Sequence, residues 1–154
     1  MLNVPTSFSS KSPKATILVI EDNADQWFII HWALLQRFPE VEAIWMQEPT
    51  QAMMYLEACM QDIRELPKLI LLDLYLPLRQ HGWNLLELIK AHSVFREIPV
   101  VILSQSNDPE DIAESYTLRS NSYIVKPSGY EKWLACIASF RHYWWESVTL
   151  PKFS

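Results

Sequence analysis

The stretch that most constrains this chain is Leu69-Ile70-Leu71-Leu72-Asp73-Leu74-Tyr75-Leu76-Pro77. An apolar run this short, introduced by Pro67 and Lys68 and closed by Pro77, reads as a strand buried on both faces. Strands of that kind belong to parallel sheets with helices on each side. At the end of the run stands Asp73, a charge that is costly to bury without a partner. Ligand sites in open parallel sheets lie just outside the carboxyl ends of the strands, so position alone makes Asp73 a candidate site residue.

The rest of the chain supplies four more strands. Thr16 to Ile20 is a short apolar strand ending in Glu21-Asp22-Asn23. A helix follows from Ala24 to Phe38, capped by Asn23 or Asp22. It is apolar almost all round, with Trp27 and Trp32 available to the core or to a docking face. Val41 to Met46 is a weaker strand, and a helix with apolar spacing near 3.6 begins at Pro49 or Thr50. After the Asp73 strand come a loop, Leu78 to His81, and a helix from Gly82 or Trp83 to about His92. Pro99 to Leu103 is the fourth strand, ending in Ser104, and Asp108-Pro109 opens a helix to about Leu118. Ser122 to Val125 is the fifth strand, ending in Lys126-Pro127, and Gly129 and Tyr130 lead into a last helix to about Trp145. Trp133, Ile137, Phe140 and Trp144 form its packing stripe. Tyr130, Leu134, Tyr143, Trp145, Val148, Leu150 and Phe153 fall outside it and suggest a partner surface.

Alternating strands and helices predict an α/β chain of flavodoxin-like, doubly wound (βα)5 type. Residues 1–14 read as a flexible arm, 15–146 as one domain and 147–154 as a tail. If the sheet order is 2-1-3-4-5, the polar strand ends meet at one edge: Glu21 and Asp22, Asp73, Ser104 and Lys126. Three carboxylates in one pocket cannot all stay ionised without a cation, and an oxygen-only ligand set suits Mg²⁺. A lysine and a hydroxyl facing them supply the neutralisation and the donor that a phosphoryl group needs. The chemistry these residues predict is phosphoryl transfer onto Asp73, giving an acyl phosphate.

Other classes fit less well. A net charge of −5 argues against a nucleic-acid surface, which needs clustered Lys and Arg. Cys59 and Cys136 show no zinc-type spacing, so a reduced cytoplasmic chain is expected. The four His residues form no ligand motif. No apolar run approaches membrane-spanning length.

On the motifs LVIEDN, LILLDLYLP, VVILS and YIVKP, the chain resembles the receiver domain of two-component response regulators over about residues 15 to 146. The resemblance implies Asp73 as phosphoacceptor, Glu21 and Asp22 as the metal-binding acidic pair, and Lys126 as the lysine that contacts the phosphoryl group. It further implies Ser104 as the switch hydroxyl, Tyr123 as the switch aromatic and the Tyr75 backbone carbonyl as a metal ligand. A cis Lys126–Pro127 bond is also implied, since X–Pro bonds adopt cis at low cost. The implied donor is a sensor histidine kinase, and the implied role is that of a phosphoacceptor rather than a conventional enzyme. The flanks YWWESVTLP and SYTLRSNSYIVKP resemble the single-domain regulators of cyanobacterial phytochrome kinases. That subgroup implies a homodimer through the last helix and its flank.

Three positions depart from the family pattern. Gly82 follows Asp73 by nine places instead of the usual eight, Gln105 stands where a small residue is common, and Tyr75 is unusually bulky. All three border the mouth of the expected site. A haloacid-dehalogenase-type phosphohydrolase would need a second Asp where Tyr75 stands. A flavin carrier would need a Ser/Thr/Gly-rich phosphate loop where the anionic EDNAD stands. A phosphorylation-independent interaction module is the remaining alternative, but such variants usually lose residues that this chain retains.

Overall fold

In a computed structural model that describes residues 14–153, five parallel strands form one sheet in the order 2-1-3-4-5. The strands are β1 (Ala15–Ile20), β2 (Val41–Met46), β3 (Leu69–Leu72), β4 (Val100–Ser104) and β5 (Ser122–Val125). The helices are α1 (Ala24–Arg37), α2 (Pro49–Cys59), α3 (Arg79–Ala91), α4 (Pro109–Thr117) and α5 (Tyr130–Arg141). Except for Lys14, the arm expected over 1–14 lies outside the described residues, as does Ser154 of the tail.

The period-2 alternation of strand side chains divides the core between the two faces of the sheet. Ile17, Val19, Leu69, Leu71, Val101 and Leu103 pack with Ile30, Ala33 and Leu34 of α1 and Trp133, Ile137 and Phe140 of α5. Leu18, Ile20, Ile70, Leu72, Val100 and Ile102 pack with Leu56 of α2 and Leu85, Leu86 and Ile89 of α3. Each fully buried Leu or Ile contributes about 1.5–3 kcal/mol, so the central strands can carry polar groups at their ends.

Register brings the strand ends together. Ile20 stands opposite Leu72, so the next residues, Glu21 and Asp73, lie side by side, with Asp73 N bonded to Ile20 O at 2.9 Å. Ser104 stands opposite Val125, and Lys126 N donates to Ser104 O at 2.7 Å.

Several boundaries differ from expectation. The third helix begins at Arg79, three residues before Gly82, so most of the expected Leu78 to His81 loop is its first turn. Gly82 is an interior helical residue pressed on the preceding loop: a Cβ there would stand 2.1 Å from Leu74 O. Its glycine serves close approach of helix and loop, which explains why it is a poor marker of a helix start. The cis bond among the described residues is Leu76–Pro77, not the expected Lys126–Pro127. Each is an X–Pro bond, the type in which cis costs little, so composition does not choose between them. Two 3₁₀ turns, Ile63–Glu65 and Phe95–Glu97, were not expected.

The last helix is α-helical to Arg141 and continues as π-helical turns over His142–Ser147. Its expected stripe is buried throughout: Trp133, Ile137, Phe140 and Trp144. Trp145 packs edge-on to Phe38, and Val148 and Leu150 extend the same core face. Phe153 packs on the opposite core cluster, so the tail is folded against its own domain.

Candidate functional site

The strand ends enclose a cavity of about 450 Å³ lined by Glu21, Asp22, Asn23, Gln26, Asp73, Tyr75, Gln105, Ser106 and Lys126. Glu21 and Asp73 are nearly fully buried, while Asp22 is exposed at the rim. One carboxylate oxygen from each of the three lies within 4.8 Å of the others. At that separation two like charges repel by about 3 kcal/mol at the effective dielectric of a protein. Lys126 Nζ sits between two of them, 3.0 Å from Glu21 Oε2 and 3.4 Å from Asp73 Oδ2.

One lysine does not balance three carboxylates. Burial, reinforced by the Asp73 carboxylate and outweighing Lys126, pushes Glu21 up to about 8. Partial burial and then Asp73 also raise Asp22. Glu21 Oε1 is buried with no hydrogen-bond partner. An orphaned carboxylate oxygen beside two more carboxylates is the donor set of a hard divalent cation. Glu21, Asp22 and Asp73 could therefore hold such an ion, with all-oxygen ligation.

Local structure fixes the cluster from behind. Asn23 caps α1, its Oδ1 accepting from Asp25 N at 2.9 Å and Gln26 N at 3.1 Å. The indole of Trp45 donates from Nε1 to Glu21 O at 2.8 Å and stacks on Trp27, which stacks in turn on His31. The indoles of Trp27 and Trp32 are half-buried against the core, and Trp32 meets Tyr130 edge-on. Tyr75 N donates to Asp73 Oδ1 at 3.3 Å, so the backbone after the strand turns around the carboxylate.

Ser104 is fully buried at the end of β4, where its Oγ accepts from Ser106 N at 3.1 Å. Tyr123 is half-buried, and its hydroxyl donates to Ser106 O at 2.8 Å. The structure thus brings together Glu21, Asp22, Asp73 and Lys126, with Ser104 and Tyr123 joined through Ser106. Tyr75 and Gln105 lie at the mouth, as their positions in the sequence imply. Three further residues that border this region, Trp45, Asp111 and Arg79, carry no mark of it in the sequence. Asp111 in particular sits in the first turn of α4, where an acidic residue is ordinary.

A doubly wound sheet of this order, with an acidic pocket and a lysine at its carboxyl edge, defines the receiver class of signalling domains. The chain belongs to the response regulator receiver domain family, whose sequence model matches residues 17–138. It is 30% identical over 141 residues to the response regulator Rcp1 of Synechocystis sp., covering 91% of this chain and 95% of Rcp1. A crystal structure of Rcp1 in its Mn²⁺-bound form superposes with a TM-score of 0.77, covering 90% of this chain and 99% of that one. The phosphorylated cyanobacterial phytochrome response regulator RcpA is 32% identical, with a TM-score of 0.78 and coverage of 90% and 99%. The chain is also similar to a probable methanogenesis regulatory protein, FilR2, of Methanothrix harundinacea. That match is 32% identical over 128 residues, 83% of this chain and 82% of FilR2.

The charge imbalance sets a pH dependence. Glu21 titrates near 4.5 when unfolded and about 8 when folded, so between those values the folded chain holds a proton that the unfolded chain has lost. Without a divalent cation, stability should therefore fall as pH rises through that window. Urea midpoints measured in chelator from about pH 5 to pH 8 should decline, and Glu21→Gln should flatten the decline. A rise across the window, or an unchanged slope in Glu21→Gln, would contradict the assignment.

Proposed function

We propose that this protein accepts a phosphoryl group on Asp73 from a sensor histidine kinase, in the cytoplasm, with Mg²⁺ as the working cation. The observation that carries this is the Asp73 carboxylate, nearly buried yet open to the cavity, paired with Lys126 and flanked by Glu21 and Asp22. An Asp73 oxygen attacks phosphorus, the phosphorus–nitrogen bond of the phosphohistidine breaks, and its electron pair returns to the imidazole. Asp73 is left as an acyl phosphate. Glu21, Asp22 and Asp73 would hold the cation together with the Tyr75 carbonyl. When bound, the cation neutralises charge on the incoming phosphoryl oxygens. Lys126 contacts one phosphoryl oxygen, and Ser104 supplies a hydroxyl donor to another. As Ser104 moves toward the phosphoryl group, Tyr123 is released from Ser106 and turns further inward. The phosphoryl group can drive this only through the contacts it makes better in the switched state.

The likeness to RcpA, a cyanobacterial phytochrome response regulator, favours a phytochrome-type kinase as the donor. Acetyl phosphate with Mg²⁺ should add one phosphoryl group to the wild type by intact mass and none to Asp73→Asn, and EDTA should suppress labelling. Equal labelling of both chains would end the acceptor assignment, and labelling undiminished by EDTA would end the metal role.

We also propose a homodimer through the last helix and the tail. Tyr130 and Tyr143 are exposed there, and the neighbouring α1 exposes Phe28 and Leu35. An apolar set of this kind on a surface marks a contact region. The tail that follows this helix packs in part on its own core, through Val148, Leu150 and Phe153. Sedimentation at micromolar concentration should show a wild-type dimer and a weaker one for Tyr143→Arg. A wild-type monomer under those conditions would refute it.

A further inference from the structure

Asp111 is fully buried on α4, outside the acidic cluster. A charge so placed needs several donors to offset its lost hydration. It has three from side chains: Tyr75 Oη at 2.7 Å and Ser106 Oγ at 2.6 Å, both on Oδ2, and Arg79 Nη1 at 2.8 Å on Oδ1. These come from the loop after β3, the loop after β4 and the first turn of α3. Arg79 lies over the Trp83 ring at 5.1 Å. Trp83 Nε1 donates to Ser115 Oγ at 3.3 Å, and Ser115 Oγ donates to Asp111 O at 2.7 Å, which closes a ring of contacts. Burial alone would raise the Asp111 carboxyl, but the bonds from Ser106, Tyr75 and Arg79 hold it below its ordinary value. Helix capping does not require this residue. Asp108 already caps α4, its Oδ1 accepting from Glu110 N at 2.9 Å.

Two of the three donors lead to the phosphoryl site. The Tyr75 ring, two residues after Asp73, reaches from its loop to α4 and lines the cavity beside Gln105 and Ser106. Ser106 holds both switch residues, donating from its N to Ser104 Oγ and accepting on its O from Tyr123 Oη. One carboxylate is therefore bonded to a residue at the mouth and to the residue that restrains the switch.

We propose that Asp111 is a positioning residue for the phosphoryl chemistry at Asp73, fixing the Tyr75 ring across the mouth and Ser106 against Ser104 and Tyr123. This rests on the phosphoacceptor role of Asp73 proposed above. In hydrolysis of the acyl phosphate, a water oxygen bonds to phosphorus as the bond from phosphorus to the Asp73 oxygen breaks. The carboxylate is restored, and both water protons leave on inorganic phosphate. The water must arrive in line, opposite the Asp73 oxygen. Tyr75, Gln105 and Ser106 line the cavity from which that water must come. A tethered ring keeps water from this approach, and a freed ring does not.

The test uses full-length protein labelled on Asp73 with acetyl phosphate, with decay followed at neutral pH in Mg²⁺. Wild type, Tyr75→Phe, Asp111→Ala and the double variant are compared, and each chain's melting temperature is measured. Tyr75→Phe keeps the ring and deletes only its hydroxyl. Each single variant should decay about tenfold faster than wild type, the scale expected from a hydrogen bond to a charged group. The double variant should decay no faster than the faster single, because both changes cut one connection. Tyr75→Phe takes one of three donors from buried Asp111, so its melting temperature should fall, but less than that of Asp111→Ala, while the two decay equally fast; a merely structural role would instead make decay follow the loss of stability. Wild-type decay in Tyr75→Phe, whatever the folding of Asp111→Ala, overturns the proposal alone, as do multiplicative effects in the double variant. Failure of the wild type to label on Asp73 overturns the acceptor role and this proposal together.

Discussion

The contact on which the site depends is the buried pairing of Lys126 with Glu21 and Asp73. It spans the sheet: Glu21 follows β1, Asp73 follows β3 and Lys126 follows β5. Losing one partner of a buried ion pair costs about 3–5 kcal/mol, because the other charge is left uncompensated. The lysine cannot, however, satisfy three carboxylates, and the surplus appears as a raised Glu21 and an orphaned Glu21 Oε1. The pocket is held unbalanced, in the direction that a divalent cation or an added proton would correct.

The fold bears this imbalance because the central strand below it is wholly apolar and buried. Both faces of β3 are buried in aliphatic side chains, and β1 and β4 flank it in register. The polar residues follow where the ladder stops. Behind them, backbone groups are fixed by side chains of other elements: Trp45 holds Glu21 O, and Asn23 closes the first turn of α1. In front, Tyr75, Ser106, Arg79 and Asp111 join the loops after β3 and β4 to the two helices that follow them. The rear bonds end on backbone groups of β1 and α1, and Trp45 is also stacked on Trp27, whereas the front bonds run between side chains of different loops and helices. Movement at the site is therefore expected at the front.

What the sequence made legible was whatever is written as a local pattern. The Asp73 strand follows from a short apolar run bounded by prolines, the stripe of Trp133, Ile137, Phe140 and Trp144 follows from periodicity, and the strand ends carry their polar residues in plain view. Boundaries set by tertiary contact were not legible. Gly82 looks like a helix start, but its small size serves the approach of α3 to Leu74. The cis bond lies at Leu76–Pro77 and not at Lys126–Pro127, a choice that depends on loop geometry. Asp111 was hidden for a similar reason. An acidic residue two places after Pro109 resembles a solvated first-turn charge, and only its three donors from distant segments show it to be buried. Trp45 gave no signal either, since its partner is a backbone carbonyl.

The most direct measurement is a crystal structure of the full chain with beryllofluoride and Mg²⁺, set beside the unmodified form. The mimic should be bonded to an Asp73 oxygen, with Lys126 on one fluoride and Ser104 Oγ drawn to another. Tyr123 should have left Ser106 O, and the metal should be ligated by Glu21, Asp22, Asp73 and the Tyr75 carbonyl. Beryllofluoride bound elsewhere, or Ser104 and Tyr123 in the same positions in both structures, would contradict the assignment of site and switch.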